Sequence, residues 1–413
     1  MIKKLTSFAW IIFISKISSA QLTPEITSWI INTTGATGYN GILSNVQLVQ
    51  YSTNNVYVSC TCIPGYDIGP WAGNPNVPAN QNFVYKITRS PVFNSGTSIA
   101  TPLGHTGVWS NGVSIYNAKD AMSYQNMNIW HQNAIVFEGA SFDTCLGHPA
   151  PNGEYHHHLN PRCLYDDHDS SFHSPIIGYA FDGFPIFGAY GFVNTNGTGG
   201  ITRMKTSYRK RNITVRQTLP DGTALNPPQY GPPVSVSYPL GSYIEDYEYI
   251  IGFGDLDEHN GRICVTPDYP AGIYSYFVTL DSALDAEYPY TPGPTYYGTV
   301  QAGNTGPGSG HNTITEPTTI YTPTGIEELD KKIQFQFFPN PAKNFASVYF
   351  YPSAENNISC SLYDLNGKKI KQFENFQPAV TYSMDFREIP SGVYTLIFQT
   401  ARTRQVQRLV KVN

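Results

Sequence analysis

The sequence predicts a mainly β protein: a β-rich front domain and a small C-terminal β-sandwich. Three observations carry this. Charged residues make up 13% of the chain, well under the usual quarter, so salt-bridged helices are short of material. Aromatics reach 14%, with 30 tyrosines, a composition that suits half-buried strands. The 36 glycines and 31 prolines divide the chain into short segments bounded by turns. At 413 residues the chain can build two cores.

In chain order, residues 1–20 read as a secretory signal peptide. Lys3 and Lys4 form the basic start, residues 8–14 the apolar centre, and Ser18-Ser19-Ala20 the cleavage site before Gln21. The apolar run is too short to span a bilayer, and no later stretch is apolar enough to do so after cleavage. Residues 21–60 read as strand and turn, with NVQLVQYSTNNVYVSC alternating about Asn54-Asn55. IPGYDIGPW (63–71) is an extended aromatic loop, FVYKI (83–87) a strand, and LGHTGVWSNGVSIYN a pair about Asn111-Gly112. KDAMSYQNMNIWHQNAIVFE (119–138) is the best helical candidate in the front half, with strand an alternative from Trp130 onward. Residues 303–332, rich in Gly, Ser, Thr and Pro, read as a flexible linker, which leaves a front domain over 21–302 and a second module over 333–413.

The chemistry concentrates in residues 145–192, which hold six of the ten histidines and two of the six cysteines. Tyr155-His156-His157-His158 lies between a turn signal, Pro151-Asn152-Gly153, and Pro161, leaving room for a short strand but not a helix. On a strand, His156 and His158 share one face while Tyr155 and His157 share the other. An i, i+2 imidazole pair can put two nitrogens on one ion, at about 2.0–2.1 Å each for zinc. His148 is the third candidate, and His173, Asp182, Asp255, Asp257 and Glu258 are candidate completing ligands or supports. A single histidine in such a Tyr-rich chain is ordinarily a hydrogen-bonded core residue. Three together favour a divalent metal, with copper or zinc preferred by imidazole and calcium less suited. His168, among Asp166, Asp167 and Asp169, reads as solvated loop, and His105, His131 and His157 as structural. Asp182-Gly183 also reads simply as a turn.

The net charge of −5 becomes −8 once the leader and its Lys3, Lys4 and Lys16 are removed, which argues against a nucleic-acid partner. RMKTSYRKR (203–211) reads as a solvated hairpin edge. Cysteine spacing alone does not give connectivity. Cys145 and Cys163 bracket the histidine stretch and are expected to pair. Cys60 and Cys62 share a strand face, where a direct bridge is strained. One of them is a candidate partner for Cys264, or the two form a thiolate metal site, and Cys360 has no evident mate.

Two resemblances add to this reading. GHPAPNGEYHHH (147–158), HSPIIGYAFDGFPIFGAYG (173–191) and DLDEHNGRICVTPDYPAGIYSYFVT (255–279) resemble the YHYH-domain family, with VWSNGVSIYNAKDAMSY (108–124) in support. The likeness spans about residues 26–301. His157 stands where the family has its second tyrosine, and His259 stands in an acidic segment that in relatives often reads with cysteine. This resemblance implies a fold unit and names no reaction. FQFFPNPAKN (335–344), LYDLNGKKI (362–370), IPSGVYTLIFQT (389–400) and RLVKV (408–412) resemble a type IX secretion system C-terminal sorting domain. That likeness implies export from a Bacteroidetes-type bacterium through the type IX machinery, removal of the tail, and release or attachment at the outer surface. Asn366-Gly367 and Ser391-Gly392 read as turns of its small sandwich.

Three functions compete on this evidence from sequence: a metal-dependent surface enzyme with a carboxylate such as Glu258 as proton shuttle, a non-catalytic metal binder, and a glycan- or protein-binding module using Trp71, Trp109 and Trp130. No Gly-x-Ser-x-Gly, phosphate-cradling or nucleotide motif is present, which removes the common hydrolase and kinase-like classes.

Overall fold

Period-two alternation builds the first sheet. In a computed structural model that describes residues 22–306, 308–323, 335–350, 358–364, 368–400 and 404–412, β1 (Val46–Tyr51), β2 (Asn55–Cys60) and β3 (Phe83–Thr88) pair antiparallel. Along β3, Phe83, Tyr85 and Ile87 point into the core while the residues between them are half-exposed. The signal peptide and the Asn366-Gly367 turn lie outside the described residues.

The second sheet carries the site. Its strands are β4 (His105–Trp109), β5 (Ser114–Tyr116), β6 (His148–Pro149), β7 (Tyr155–His157), β8 (Ile176–Ala180), β9 (Pro185–Phe187), β10 (Gly261–Cys264) and β11 (Ile273–Phe277). They run β10-β11-β9-β8-β4-β5-β7-β6 across the sheet. Asn111-Gly112 makes the β4–β5 turn as its sequence suggests: Gly112 takes φ +82°, and its N–H donates to Trp109 O at 2.8 Å. Central strands β4 and β8 are buried along their whole length, because both faces of the sheet are covered. Val108, Tyr179, Phe181 and Phe277 pack with the first sheet's Val49, Val58 and Tyr85, while Trp109, Ile177, Ile186, Tyr274 and Tyr276 fill a separate core.

The stretch expected to be helical over 119–138 is a hairpin instead. Lys119–Ser123 pairs with His131–Asn133, a short 3₁₀ turn at Tyr124–Asn126 connects them, and Ala134–Phe137 forms one α-helical turn. The connecting residues Gln125, Asn126 and Asn128 take φ of +52°, +55° and +54°, conformations a helix does not use. Trp130 and Asn133, both buried, hold the hairpin from elsewhere: Trp130 Nε1 donates to Gln229 O, and Asn133 Nδ2 donates to Gly241 O and Tyr290 Oη.

The chain divides into two compact units, Met1–Thr322 and Pro323–Asn413. Residues 303–322, which read as linker, run along the first sheet. β12 (Thr319–Ile320) adds to β1, and Glu316 Oε1 accepts from Asn55 Nδ2 at 2.6 Å and Tyr57 Oη at 2.7 Å. Asn304 imitates a strand on the free edge of β3: its Oδ1 accepts from Lys86 N at 3.0 Å and its Nδ2 donates to Lys86 O at 2.6 Å. Composition marked the segment as turn-rich, but its amides complete an exposed sheet edge.

The second unit is a sandwich. One sheet joins β13 (Phe335–Phe338), β14 (Phe345–Phe350) and β17 (Thr381–Asp385); the other runs β16-β15-β18-β19, with β15 spanning Ile358–Tyr363, β16 Lys369–Phe376, β18 Gly392–Gln399 and β19 Arg404–Lys411. Val348, Leu362, Met384, Leu396, Phe398 and Leu409 form its core.

Cys145 and Cys163 form a disulfide, as their bracketing of the histidines suggests. Cys60, Cys62 and Cys264 are free and buried, so neither the Cys264 bridge nor a thiolate pair forms. Cys62 follows β2 at φ +66°, which breaks the strand alternation, and its Sγ lies 3.3 Å from Ser114 Oγ and donates to Tyr155 O at 3.1 Å. Burial pushes the Cys60 thiol up to about 12 and the Cys62 thiol well above its ordinary range, so both stay protonated. Replacing Cys145 and Cys163 by serine removes an 18-residue closure. Urea unfolding is expected to show a loss of about 3 kcal/mol relative to the intact protein; an unchanged midpoint would show that the loop is held without its cross-link.

Candidate metal centre

The local chain builds the site in three steps. His148 on edge strand β6 stands directly opposite His156 on β7 in their antiparallel register. The alternation of β7 then brings His158 to the same side as His156, and Tyr155 and His157 to the other. Finally, β7 lies parallel to β5, so Asn117 just beyond β5 comes within reach of His158.

The three Nε2 atoms converge. His148 Nε2 is 3.0 Å from His156 Nε2, which is 3.2 Å from His158 Nε2. All three residues are buried. Their tautomers follow from the partners of the other ring nitrogen. Glu154 O lies 3.1 Å from His156 Nδ1, and Asn117 O lies 2.6 Å from His158 Nδ1. A carbonyl only accepts, so both Nδ1 atoms carry the proton. Ser141 Oγ donates to Glu138 O at 2.8 Å, which leaves its lone pair to accept from His148 Nδ1, also at 2.8 Å. In the neutral state all three Nε2 atoms are therefore bare acceptors, and at close range acceptors repel unless a proton or a cation lies among them.

Protonation is discouraged. Burial, then the charge of His158, pushes His148 down to about 4 despite Glu138. Burial and its two imidazole neighbours hold His156 well below the ordinary histidine range. Tyr116 stacks on the His156 ring at 3.8 Å, and Phe142 closes on His148 edge-on at 4.8 Å.

A carboxylate missing from the sequence reading completes the group. Glu138 Oε2 lies 3.3 Å from His158 Nε2 and 3.8 Å from His148 Nε2. Burial would raise this carboxyl, but once His158 takes a proton on Nε2 its hydrogen bond and charge, with the charge of a protonated His148, outweigh burial and hold the group below its usual range. Its side chain is 35% exposed, so the centre faces solvent on this side. Nothing in the local sequence distinguishes Glu138. Its position depends on the single turn Ala134–Phe137, capped by Asn133, and on Ser141 folding back.

One buried carboxylate fixes the loop before His148. Asp143 Oδ1 accepts from the N–H groups of Cys145 and Gly147 at 2.9 and 3.1 Å. Asp143 Oδ2 accepts from Gly69 N, Trp71 Nε1 and Tyr155 Oη at 2.8, 3.2 and 2.9 Å. Gly147 must be glycine here, since a Cβ would sit 2.4 Å from Tyr155 Oη. His157, on the same face as Tyr155, is fully buried beside Trp109, and burial pushes it down to about 3.

Residues 84–288 match the family model described as YHYH protein. Residues 336–412 match the one described as Secretion system C-terminal sorting domain. This is a YHYH-domain protein with a secretion sorting tail. A search of curated proteins finds no match to the chain. The tail marks the protein for secretion to the exterior or attachment at the cell surface, through the type IX machinery. Among the described residues, no helix is long and apolar enough to cross a membrane.

Within the YHYH domain the remaining expected ligands sit elsewhere. Among the described residues, His148, His156 and His158 have ligand atoms that all lie within 4.8 Å of one another, and Glu138 Oε2 lies beside two of them. His173 Nδ1 donates to Ser174 O, and its ring packs against Phe187, Phe192 and Phe277. Asp182 ends β8 at a turn, where its Oδ2 accepts from Tyr276 Oη at 2.6 Å and Gly298 N at 2.8 Å. Asp255 caps Lys205 N, and Asp257 Oδ1 accepts from His259 N, Gly261 N and Tyr274 Oη. These two acids and the exposed Glu258 precede β10, at the opposite edge of the sheet from β6. The spacing of the acidic segment serves a turn rather than an ion. Trp109 and Trp130 are buried, and Trp71 Nε1 is committed to Asp143, so the three tryptophans do not form a contact face.

A folded state that keeps His148 near 4 and His157 near 3 binds fewer protons than the unfolded chain, whose histidines titrate near 6.5. Stability of the metal-stripped protein should therefore be full above pH 6.5 and fall as pH drops toward 4, by roughly 3 kcal/mol from His148 alone. Urea unfolding at pH 7 and pH 4.5 measures this, and His148→Gln should flatten the difference. Equal stability at both values would contradict the burial of neutral imidazoles.

Proposed function

We propose that the YHYH domain is an extracellular metal-binding domain of a Bacteroidetes-type bacterium, with the ion held by Nε2 of His148, His156 and His158. One observation carries the reading: three buried Nε2 lone pairs face one another at 3.0 and 3.2 Å while every Nδ1 proton is used elsewhere. Imidazoles around a tetrahedral ion at about 2.0–2.1 Å stand about 3.3 Å apart, close to these spacings. The Nδ1–H bonds to two backbone carbonyls and a serine are the outer contacts that orient metal-bound histidines. Three imidazoles with a carboxylate favour zinc or copper over calcium, which takes six to eight oxygens.

Glu138 stands at the fourth position. Bound, it closes the shell and makes the site a store or structural centre. Exchanged for water on its solvent side, it leaves three imidazoles and an open position, the arrangement in which a metal activates water. The domain is thus a metal binder first, and a metal-dependent enzyme to the extent that Glu138 yields its place. Glu258 has no part in that chemistry. We also propose that export removes residues 1–20 and that the mature domain extends through residue 322, since residues 303–322 complete the first sheet.

Elemental analysis of the purified protein is expected to give near one equivalent of zinc or copper. His156→Ala with His158→Ala should abolish it while the β-sheet circular dichroism persists, and Glu138→Gln should weaken affinity yet keep the stoichiometry. Full metal content in the double variant would end the ligand assignment. Deleting residues 333–413 should leave the YHYH domain folded but retained in the periplasm; fractionation finding it at the cell surface would refute the sorting role of the tail.

A further inference from the structure

A second constellation lies apart from the metal ligands. His105 begins β4, and its two ring nitrogens are both engaged: Nδ1 is 3.0 Å from Glu154 Oε1, and Nε2 is 2.8 Å from Ser309 Oγ. The order is hydroxyl, imidazole, carboxylate, at the distances over which a base activates a nucleophile and an acid orients the base. His105 and Glu154 are buried, at 8% and 3% exposure, while Ser309 is half-buried on a loop between exposed Gly306 and Gly308 and buried Gly310. Phe83, Tyr85 and Phe181 meet the His105 ring edge-on at 5.4, 5.4 and 5.8 Å, fixing its plane and keeping water from its faces. Gly308 and Gly310 take φ of +68° and +82°, so Ser309 is flanked on both sides by residues without side chains. The sequence holds no Gly-x-Ser-x-Gly, and this loop has another spacing and takes its base from a strand 204 residues away.

We propose that Ser309 is an activated nucleophile, with His105 as its general base and Glu154 as the group that orients His105, and that its substrates are carboxylic esters. Ser309 Oγ bonds to the ester carbonyl carbon as its proton passes to His105 Nε2, and the carbonyl π pair moves onto oxygen. Collapse of that adduct breaks the bond to the alkoxy group, which leaves as an alcohol with the proton from His105. Water then attacks the acyl-serine by the same route, releasing the acid and restoring the hydroxyl. Glu154 accepts from Nδ1 throughout and holds the tautomer that leaves Nε2 free to take a proton. The resting hydroxyl has a second acceptor, Gly306 O at 2.6 Å, so reaction requires a rotation toward His105. The Ser309 and Gly310 N–H groups donate to Gly306 O and Gly303 O, so oxyanion stabilisation is modest and turnover slow, which makes covalent capture the sensitive readout.

The experiment treats the full chain with an alkyl fluorophosphonate and follows the adduct by peptide mass spectrometry. Ser309 should be labelled far faster than exposed Ser95, and Ser309→Ala should remove the adduct. His105→Gln should slow labelling on the order of 10²–10⁴-fold, and Glu154→Gln should slow it less. Labelling at the rate of Ser95, or a rate unchanged by His105→Gln, would overturn the proposal. Chelator-treated protein should label as before, which separates this site from the metal centre; a rate that falls with metal removal would refute its independence.

Discussion

The Nδ1–H bonds of three histidines are the constraint on which the centre depends. Once Glu154 O, Asn117 O and Ser141 Oγ have taken those protons, the Nε2 lone pairs have nothing in the protein left to accept from. The chain then tolerates an arrangement that costs stability without a cation, since burial also resists charging His148 and His156. Such a cost is recovered when a cation binds, because whatever binds the folded state alone stabilises it. Two of the three acceptors are backbone atoms, so the centre is tied to the geometry of β5 and β7 rather than to side chains that can turn away.

Asp143 provides the other half of that rigidity. Its five accepted hydrogen bonds tie the 63–71 loop and the start of the Cys145–Cys163 turn to Tyr155, which sits in the core. The disulfide covers the same region from outside. The alternation of β7 therefore does two jobs: Tyr155 and His157 lock the strand to the core, while His156 and His158 face His148 in the candidate centre. A chain with few charges can organise a site this way because carbonyls, hydroxyls and one carboxylate supply the polarity that salt bridges supply elsewhere.

Residues 303–322 connect the site's surroundings to the rest of the first unit. They bring Glu316 to Tyr57, Asn304 to the β3 edge and Ser309 to His105, three polar contacts made by a segment without a core of its own. The unit therefore loses part of its sheet, and the Ser309 contact, if it is cut before them. The sorting sandwich has a separate core of its own and serves as an address.

The sequence by itself determined the β class, the two modules, the secretion sorting tail, the Cys145–Cys163 pair and the side of β7 on which His156 and His158 lie. These follow from composition, from period-two alternation and from turn residues, all of which act over a few neighbouring positions. The third histidine of the cluster was legible as a candidate, because His148 lies one hairpin away. Only the tertiary structure decided that Glu138 and Ser141 join the centre, that the acidic residues 255–258 sit at the far edge, and that 119–138 is not a helix. Each of those outcomes rests on strand order or on contacts between residues far apart in the chain. Hydrophobic periodicity does not encode which edge of a sheet meets which loop, so a carboxylate on one helical turn carries no mark of its destination until the sheet has formed.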